Sequence, residues 1–122
     1  MSEQVAMTMM ETTDIDKFKS RGPDAIRVLA FFRAKKGRAD ELEQVLLGLV
    51  GPTRSEPGNI AYVLHRMDGD PDVLMFDEVW TSREALESHA AMPYMRSLPA
   101  RIKGLAQEGP RVEVYREVRA AR

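Results

Sequence analysis

Apolar positions along the chain change period several times, and those changes set the order of elements. Ile26-Arg27-Val28-Leu29-Ala30-Phe31-Phe32-Arg33 is rich in β-branched and aromatic residues and ends at Lys35-Lys36-Gly37, which predicts a first strand. From Asp40 to about Val50, the residues Leu42, Val45, Leu46, Leu49 and Val50 recur at helical spacing, and Pro52 kinks that helix or ends its regular part. Glu56-Pro57-Gly58 reads as a turn. Ile60 to Arg66 is then a second strand, Asp68-Gly69-Asp70-Pro71-Asp72 a turn and Val73 to Trp80 a third strand, so the two strands form a hairpin. Ser82 to Ala90 is a second helix. Thr81 followed three residues later by Glu84 has the spacing of a capping box at its start. Tyr94, Met95, Leu98, Ile102 and Leu105 mark a further amphipathic segment around Pro99, and Arg111 to Val118 alternates as a fourth strand. Residues 1–23 mix acids, threonines and methionines without a period and close at Gly22-Pro23, which predicts a mobile N-terminal arm ahead of one domain over 24–122. A short strand contacting a partner is the alternative for that arm.

The order β-α-β-β-α-β predicts an α+β fold, the ferredoxin-like split βαβ arrangement with an antiparallel sheet. Right-handed crossovers put both helical layers on one face of the sheet. The other face does not read as water-facing. Leu29 and Phe31 lie opposite Ile26, Val28, Ala30 and Phe32, while Val73, Met75 and Val79 lie opposite Leu74, Phe76 and Trp80. Burying roughly five such side chains at about 1.5 to 3 kcal/mol each makes on the order of 10 kcal/mol available for association, before its entropic cost. A symmetric homodimer packed sheet to sheet is the expectation.

Composition narrows the function classes. A chain of 122 residues with 43% apolar content holds one core. Eighteen basic residues against nineteen acidic ones, with Arg111, Arg116 and Arg119 interleaved with Glu113 and Glu117, argue against a nucleic-acid partner. With no cysteine, disulfide frameworks, thiolate metal sites and cysteine nucleophiles are excluded together. The start, Met1-Ser2-Glu3-Gln4, has no basic and apolar leader pattern and no apolar run is long enough to cross a bilayer, so a cytoplasmic protein without a membrane partner is expected.

The residues able to carry chemistry cluster around the third strand and second helix. Trp80, the only tryptophan, reads either as a large core side chain or as a pocket wall that stacks on a flat ligand. Glu78 shares its strand face, where a carboxylate must be paired with Arg27 or Arg66 or else face a cavity, in which case burial raises its pKa and makes it a base. His89 falls about two turns into the helix, on the apolar face with Ala85 and Leu86, as a structural histidine or a proton-transfer group. Tyr62 shares its strand face with Ile60, Leu64 and Arg66, whereas His65 points to the opposite face. Two histidines without zinc or iron spacing predict no protein-built metal centre. No glycine-rich phosphate loop or serine nucleophile elbow is present.

Gly37-Arg38-Ala39-Asp40-Glu41-Leu42, then Ser55-Glu56-Pro57-Gly58 followed by Tyr62, then Glu78-Val79-Trp80 and Glu84-Ala85-Leu86-Glu87-Ser88-His89, resemble in order and spacing the antibiotic biosynthesis monooxygenase domain family, including its small quinol monooxygenase-like members. The resemblance spans roughly Ala25 to Val118. It implies a dimeric α+β barrel with a pocket between sheet and helices in each subunit. It also implies oxygenation of a quinol or polyketide-like aromatic substrate by O2, with neither metal nor flavin as cofactor. His89, Trp80 and Glu78 are then the catalytic set, with Tyr62, Phe76, Ala30 and Tyr94 binding substrate. Trp80 and Tyr62 would orient the ring, and His89 or Glu78 would handle the proton. Phe76 stands where the anthrone oxygenases carry an asparagine, which sets this chain apart from orthodox anthrone chemistry. Ala30, His89 and Pro99 stand at the positions matched to the asparagine, tryptophan and haem-ligating histidine of the haem-degrading branch, which argues against haem degradation. A cofactor-free isomerase or cyclase in the same pocket, and a non-catalytic dimer that binds a small molecule, are the alternatives.

Overall fold

The strand pattern works because alternate residues must be satisfied by different surroundings. A computed structural model describes residues 22–120. The expected arm over 1–23 falls almost wholly outside the described residues. The elements run β1 (Ile26–Ala34), α1 (Ala39–Leu47), α2 (Val50–Arg54), β2 (Asn59–Arg66), β3 (Val73–Trp80), α3 (Arg83–Ala90), α4 (Pro93–Arg96), α5 (Leu98–Ile102) and β4 (Ala106–Tyr115). The sheet has the order β2-β3-β1-β4, with every neighbouring pair antiparallel. This is the expected ferredoxin-like α+β fold. One phase of β1, from Ile26 through Val28, Ala30 and Phe32 to Ala34, is buried in a single core with Leu42 and Leu46 of α1 and with Leu98 and Ile102 of α5.

Several boundaries differ from those the pattern predicts, each for a local reason. The helix expected over Asp40 to Val50 stops at Leu47, and a short second helix carries Pro52 in its first turn, where a missing N–H breaks no intrahelical bond. Thr81 does not cap α3. Its N–H donates to the Gly58 carbonyl at 2.9 Å, so it remains tied to the β2 entry, and the cap passes to Ser82, whose Oγ accepts the Ala85 N–H at 3.1 Å. The segment around Pro99 divides into α4 and α5, each with a proline in its first turn. β4 begins at Ala106 rather than Arg111 and ends at Tyr115 rather than Val118. Gly109 and Pro110 lie within this strand at a break in register opposite Phe31 to Arg33. Gly109 has φ of +116°, and a Cβ there would lie 2.6 Å from the Phe31 carbonyl oxygen, so only glycine lets β4 press against β1 at this point.

Two features of the fold prepare the site. Gly58 has no side chain because a Cβ would come within 2.3 Å of the Ala85 Cβ, so the Glu56-Pro57-Gly58 turn docks directly on α3. The helices, in turn, leave the near side of β4 uncovered. Val112 and Val114 face Ala30 and Val28 across the ladder yet are 51% and 36% exposed, while Ala30 and Val28 are buried. On the far side of the sheet Phe31 and Met75 are cross-strand partners and half-buried, and Val63 and Met67 are exposed.

Candidate active site

Between the sheet and the helices lies a cavity of about 270 Å³. Val28, Ala30 and Phe32 of β1 and Phe76 of β3 face it from the sheet, Leu86 and His89 from α3, and Pro110 and Val112 from β4. Val112 is half-exposed as well as lining the cavity, which puts the opening at β4. Tyr62 and Phe76 stack with ring centroids 4.3 Å apart and form a flat aromatic wall. Among the described residues, the titratable side chains on the lining are those of Tyr62, Glu78 and His89, with no lysine or arginine.

Glu78 is 4% exposed and has no arginine partner among the described residues. Arg27 forms its ion pair with Asp77, and Arg66 bonds to Asp40 at 2.9 Å. Trp80 instead donates its indole N–H to Glu78 Oε1 at 2.9 Å. Burial pushes the Glu78 carboxyl up to about 7, against the stabilising indole bond and with smaller contributions from Asp77 and Glu56. The carboxyl therefore changes charge near neutral pH.

His89 is the second polar group at the inner end of the cavity. Its Nδ1 lies 2.8 Å from Glu56 Oε2, and the Tyr94 hydroxyl donates to the same oxygen. The imidazole sits against Trp80 at 4.6 Å and edge-on to Tyr62 at 5.6 Å between ring centroids. Burial, chiefly, together with the neighbouring Glu78 and Glu56 carboxyls, raises the Tyr62 phenol well above the ordinary tyrosine range. Burial and then the Glu56 bond push Tyr94 up to about 12. Both hydroxyls are donors at neutral pH.

The structure thus brings Glu78, His89, Tyr62, Phe76 and Ala30 together on one cavity. Trp80 and Tyr94 do not line it: Trp80 lies behind Glu78 and His89, and Tyr94 reaches Glu56. His65 is exposed, on the strand face away from Tyr62. Sequence reasoning placed Glu56 only in a turn, where a carboxylate defaults to solvent. In the folded chain it is 7% exposed. Its one sequence signal is its place in Ser55-Glu56-Pro57-Gly58. Among the described residues, no three His, Asp or Glu side chains gather to hold a metal ion, and no helix is long and apolar enough to cross a membrane.

The raised Glu78 fixes the sign of a pH effect on stability. Between about 4.5, its ordinary value, and about 7, the folded protein keeps a proton that the unfolded chain has released. Stability therefore falls as pH rises through that window and levels above it. Glu78→Gln removes this loss, so its unfolding free energy gains on wild type by roughly 3 kcal/mol between about pH 4.5 and pH 8. Urea unfolding at several pH values measures the difference, and parallel pH profiles for the two proteins would contradict it.

Comparison with known proteins agrees with this architecture. Residues 25–100 match the family model for antibiotic biosynthesis monooxygenase. An uncharacterised protein of Synechocystis sp. is 27% identical over 93 residues, or 76% of this chain; the chain spans 63% of that relative's length. A solved protein from Shewanella oneidensis superposes with a TM-score of 0.74 at 26% identity, over 79% of this chain and 93% of that one. A structure named antibiotic biosynthesis monooxygenase is 30% identical with a TM-score of 0.70, over 77% of this chain and 99% of that one. With the model match covering more than half its length, the chain belongs to the antibiotic biosynthesis monooxygenase family.

Proposed function

We propose that the protein is a cofactor-independent monooxygenase that oxidises a neutral, electron-rich aromatic, of the quinol or polyketide-like class, with O2. The observation that carries this reading is an apolar cavity whose titratable lining groups, among the described residues, are Tyr62, Glu78 and His89. Ground-state oxygen accepts electrons one at a time, so a protein without a redox centre must make its substrate the electron donor. Removing a phenolic proton does this. A site that lowers a phenol's pKa by about two units stabilises the anion by roughly 2.7 kcal/mol.

The substrate ring lies along the Tyr62 and Phe76 wall with a hydroxyl toward His89 and Glu78. One of these two groups takes the proton, and the Tyr62 hydroxyl donates toward the developing oxyanion. The anion passes one electron to O2, and the resulting radical pair forms a C–O bond. The hydroperoxide then loses water to leave a new carbonyl. For a hydroquinone the sum is quinol plus O2 giving hydroxyquinone plus water, with no external reductant. The absence of lysine and arginine from the lining favours an uncharged substrate over a carboxylate or phosphate.

Oxygen uptake by the purified protein with a panel of hydroquinones, naphthols and anthrones tests this reading. Uptake above autoxidation is expected, falling roughly 10²-fold or more in His89→Ala. A wild-type rate equal to autoxidation across a panel that binds, as seen by Trp80 quenching, would overturn it. Glu78 titrating near neutral pH also suits proton transfer without oxygen, and such a null result would favour a cofactor-free isomerase or cyclase.

We infer further that the far face of the sheet packs on a second copy of the chain. Phe31 and Met75 are half-buried there, and Val63 and Met67 are exposed beside them. Light scattering is expected to give a dimer mass for the protein and a monomer mass for Phe31→Lys. A wild-type monomer at micromolar concentration would contradict the inference.

A further inference from the structure

Glu56 is a buried carboxylate for which the reaction above has no use, and its surroundings are unusually determinate. Its backbone is pinned on both sides: the Glu56 N–H donates to the Thr53 carbonyl at 3.0 Å, and the Glu56 carbonyl accepts the Asn59 N–H at 3.0 Å. The turn it belongs to is pressed onto α3 by the bare Cα of Gly58. The carboxylate is therefore delivered to His89, which is 33 residues away in sequence. It does not line the cavity, so it meets the imidazole from behind.

We infer that Glu56 is a positioning residue that sets the tautomer of His89. A carboxylate is an acceptor, so the nitrogen facing it at 2.8 Å, Nδ1, carries the hydrogen. In the neutral ring the lone pair then resides on Nε2, which has no partner among the described residues. His89 itself lines the cavity, so Nε2 is the nitrogen left to accept a proton from a bound ligand. Tyr94 donates to the same carboxylate oxygen and holds it in place. Trp80 and Tyr62, packed on the imidazole, oppose a ring flip that would exchange the two nitrogens. Among the described residues, Glu56 supplies the one acceptor that meets Nδ1.

The kinetic consequence rests on the proposed monooxygenase reading, but the tautomer does not, and the two are measured separately. The chain has two histidines, so 15N-labelled protein carrying His65→Asn reports His89 alone. The neutral ring is expected to be protonated at Nδ1 and unprotonated at Nε2. In Glu56→Leu, which leaves no acceptor facing Nδ1, the population is expected to move several-fold toward the Nε2–H form. If the protein turns over a quinol, the same variant should lose roughly 10²- to 10⁴-fold in kcat while KM changes about threefold at most. A wild-type His89 protonated at Nε2 would overturn the inference without turnover or a folded variant. So would a folded Glu56→Leu protein with the wild-type tautomer ratio. Absence of oxygen uptake in the wild type would overturn the monooxygenase reading alone.

Discussion

The site depends on the need of three buried polar side chains, Glu56, Glu78 and His89, to be satisfied inside an apolar core. Each is nearly inaccessible to water, and among the described residues no lysine or arginine meets either carboxylate. Leaving such a group unpaired costs several kcal/mol, so each has to be met by a particular donor or acceptor. Glu56 takes His89 and Tyr94, and Glu78 takes the Trp80 indole. The Glu56 bonds join α3, α4 and the turn before β2, and the packing of Trp80 on the His89 ring ties β3 to them. The closeness of the Glu56 turn to α3, possible only without a side chain at Gly58, is what allows the unit to form.

The two carboxylates differ in what their environments do. Glu56 has two donors on one oxygen and faces away from the cavity, which suits it to hold a neighbour in place. Glu78 has a single indole donor, faces the cavity and is shifted to about 7 mainly by burial. It is therefore the carboxyl able to exchange a proton with a ligand near neutral pH. Trp80, the most informative residue in the sequence, contributes from behind. It is fully buried, donates to Glu78 and supports the His89 ring. Of its two readings, core side chain and pocket wall stacking on a flat ligand, its placement matches the first, since it does not line the cavity.

Much of the fold was legible because it rests on period. Strand alternation placed Ala30, Phe76, Glu78 and Trp80 on one face and separated Tyr62 from His65, and helical spacing put His89 on the apolar face of its helix. Local competition was not legible. Thr81 and Ser82 are both good capping residues, and the choice between them follows from a hydrogen bond to Gly58 that lies 23 residues back along the chain. Gly109-Pro110 has the composition of a turn, and its place within β4 follows from register against β1. Glu56 was missed for the same reason. Its role is created by a partner 33 residues away, and turn chemistry alone gives a carboxylate no reason to be buried.

Polar groups at one end of an apolar cavity, with an opening at β4, imply a defined orientation for the ligand. The most direct test is a crystal structure of the protein soaked with a hydroquinone under nitrogen, where oxidation cannot consume the ligand. The account predicts the ring against Tyr62 and Phe76, one hydroxyl within hydrogen-bond reach of His89 Nε2 or the Glu78 carboxyl, and the remaining edge toward Pro110 and Val112. A ligand bound with its hydroxyls toward β4 and an apolar edge against His89, or bound outside this cavity, would contradict it.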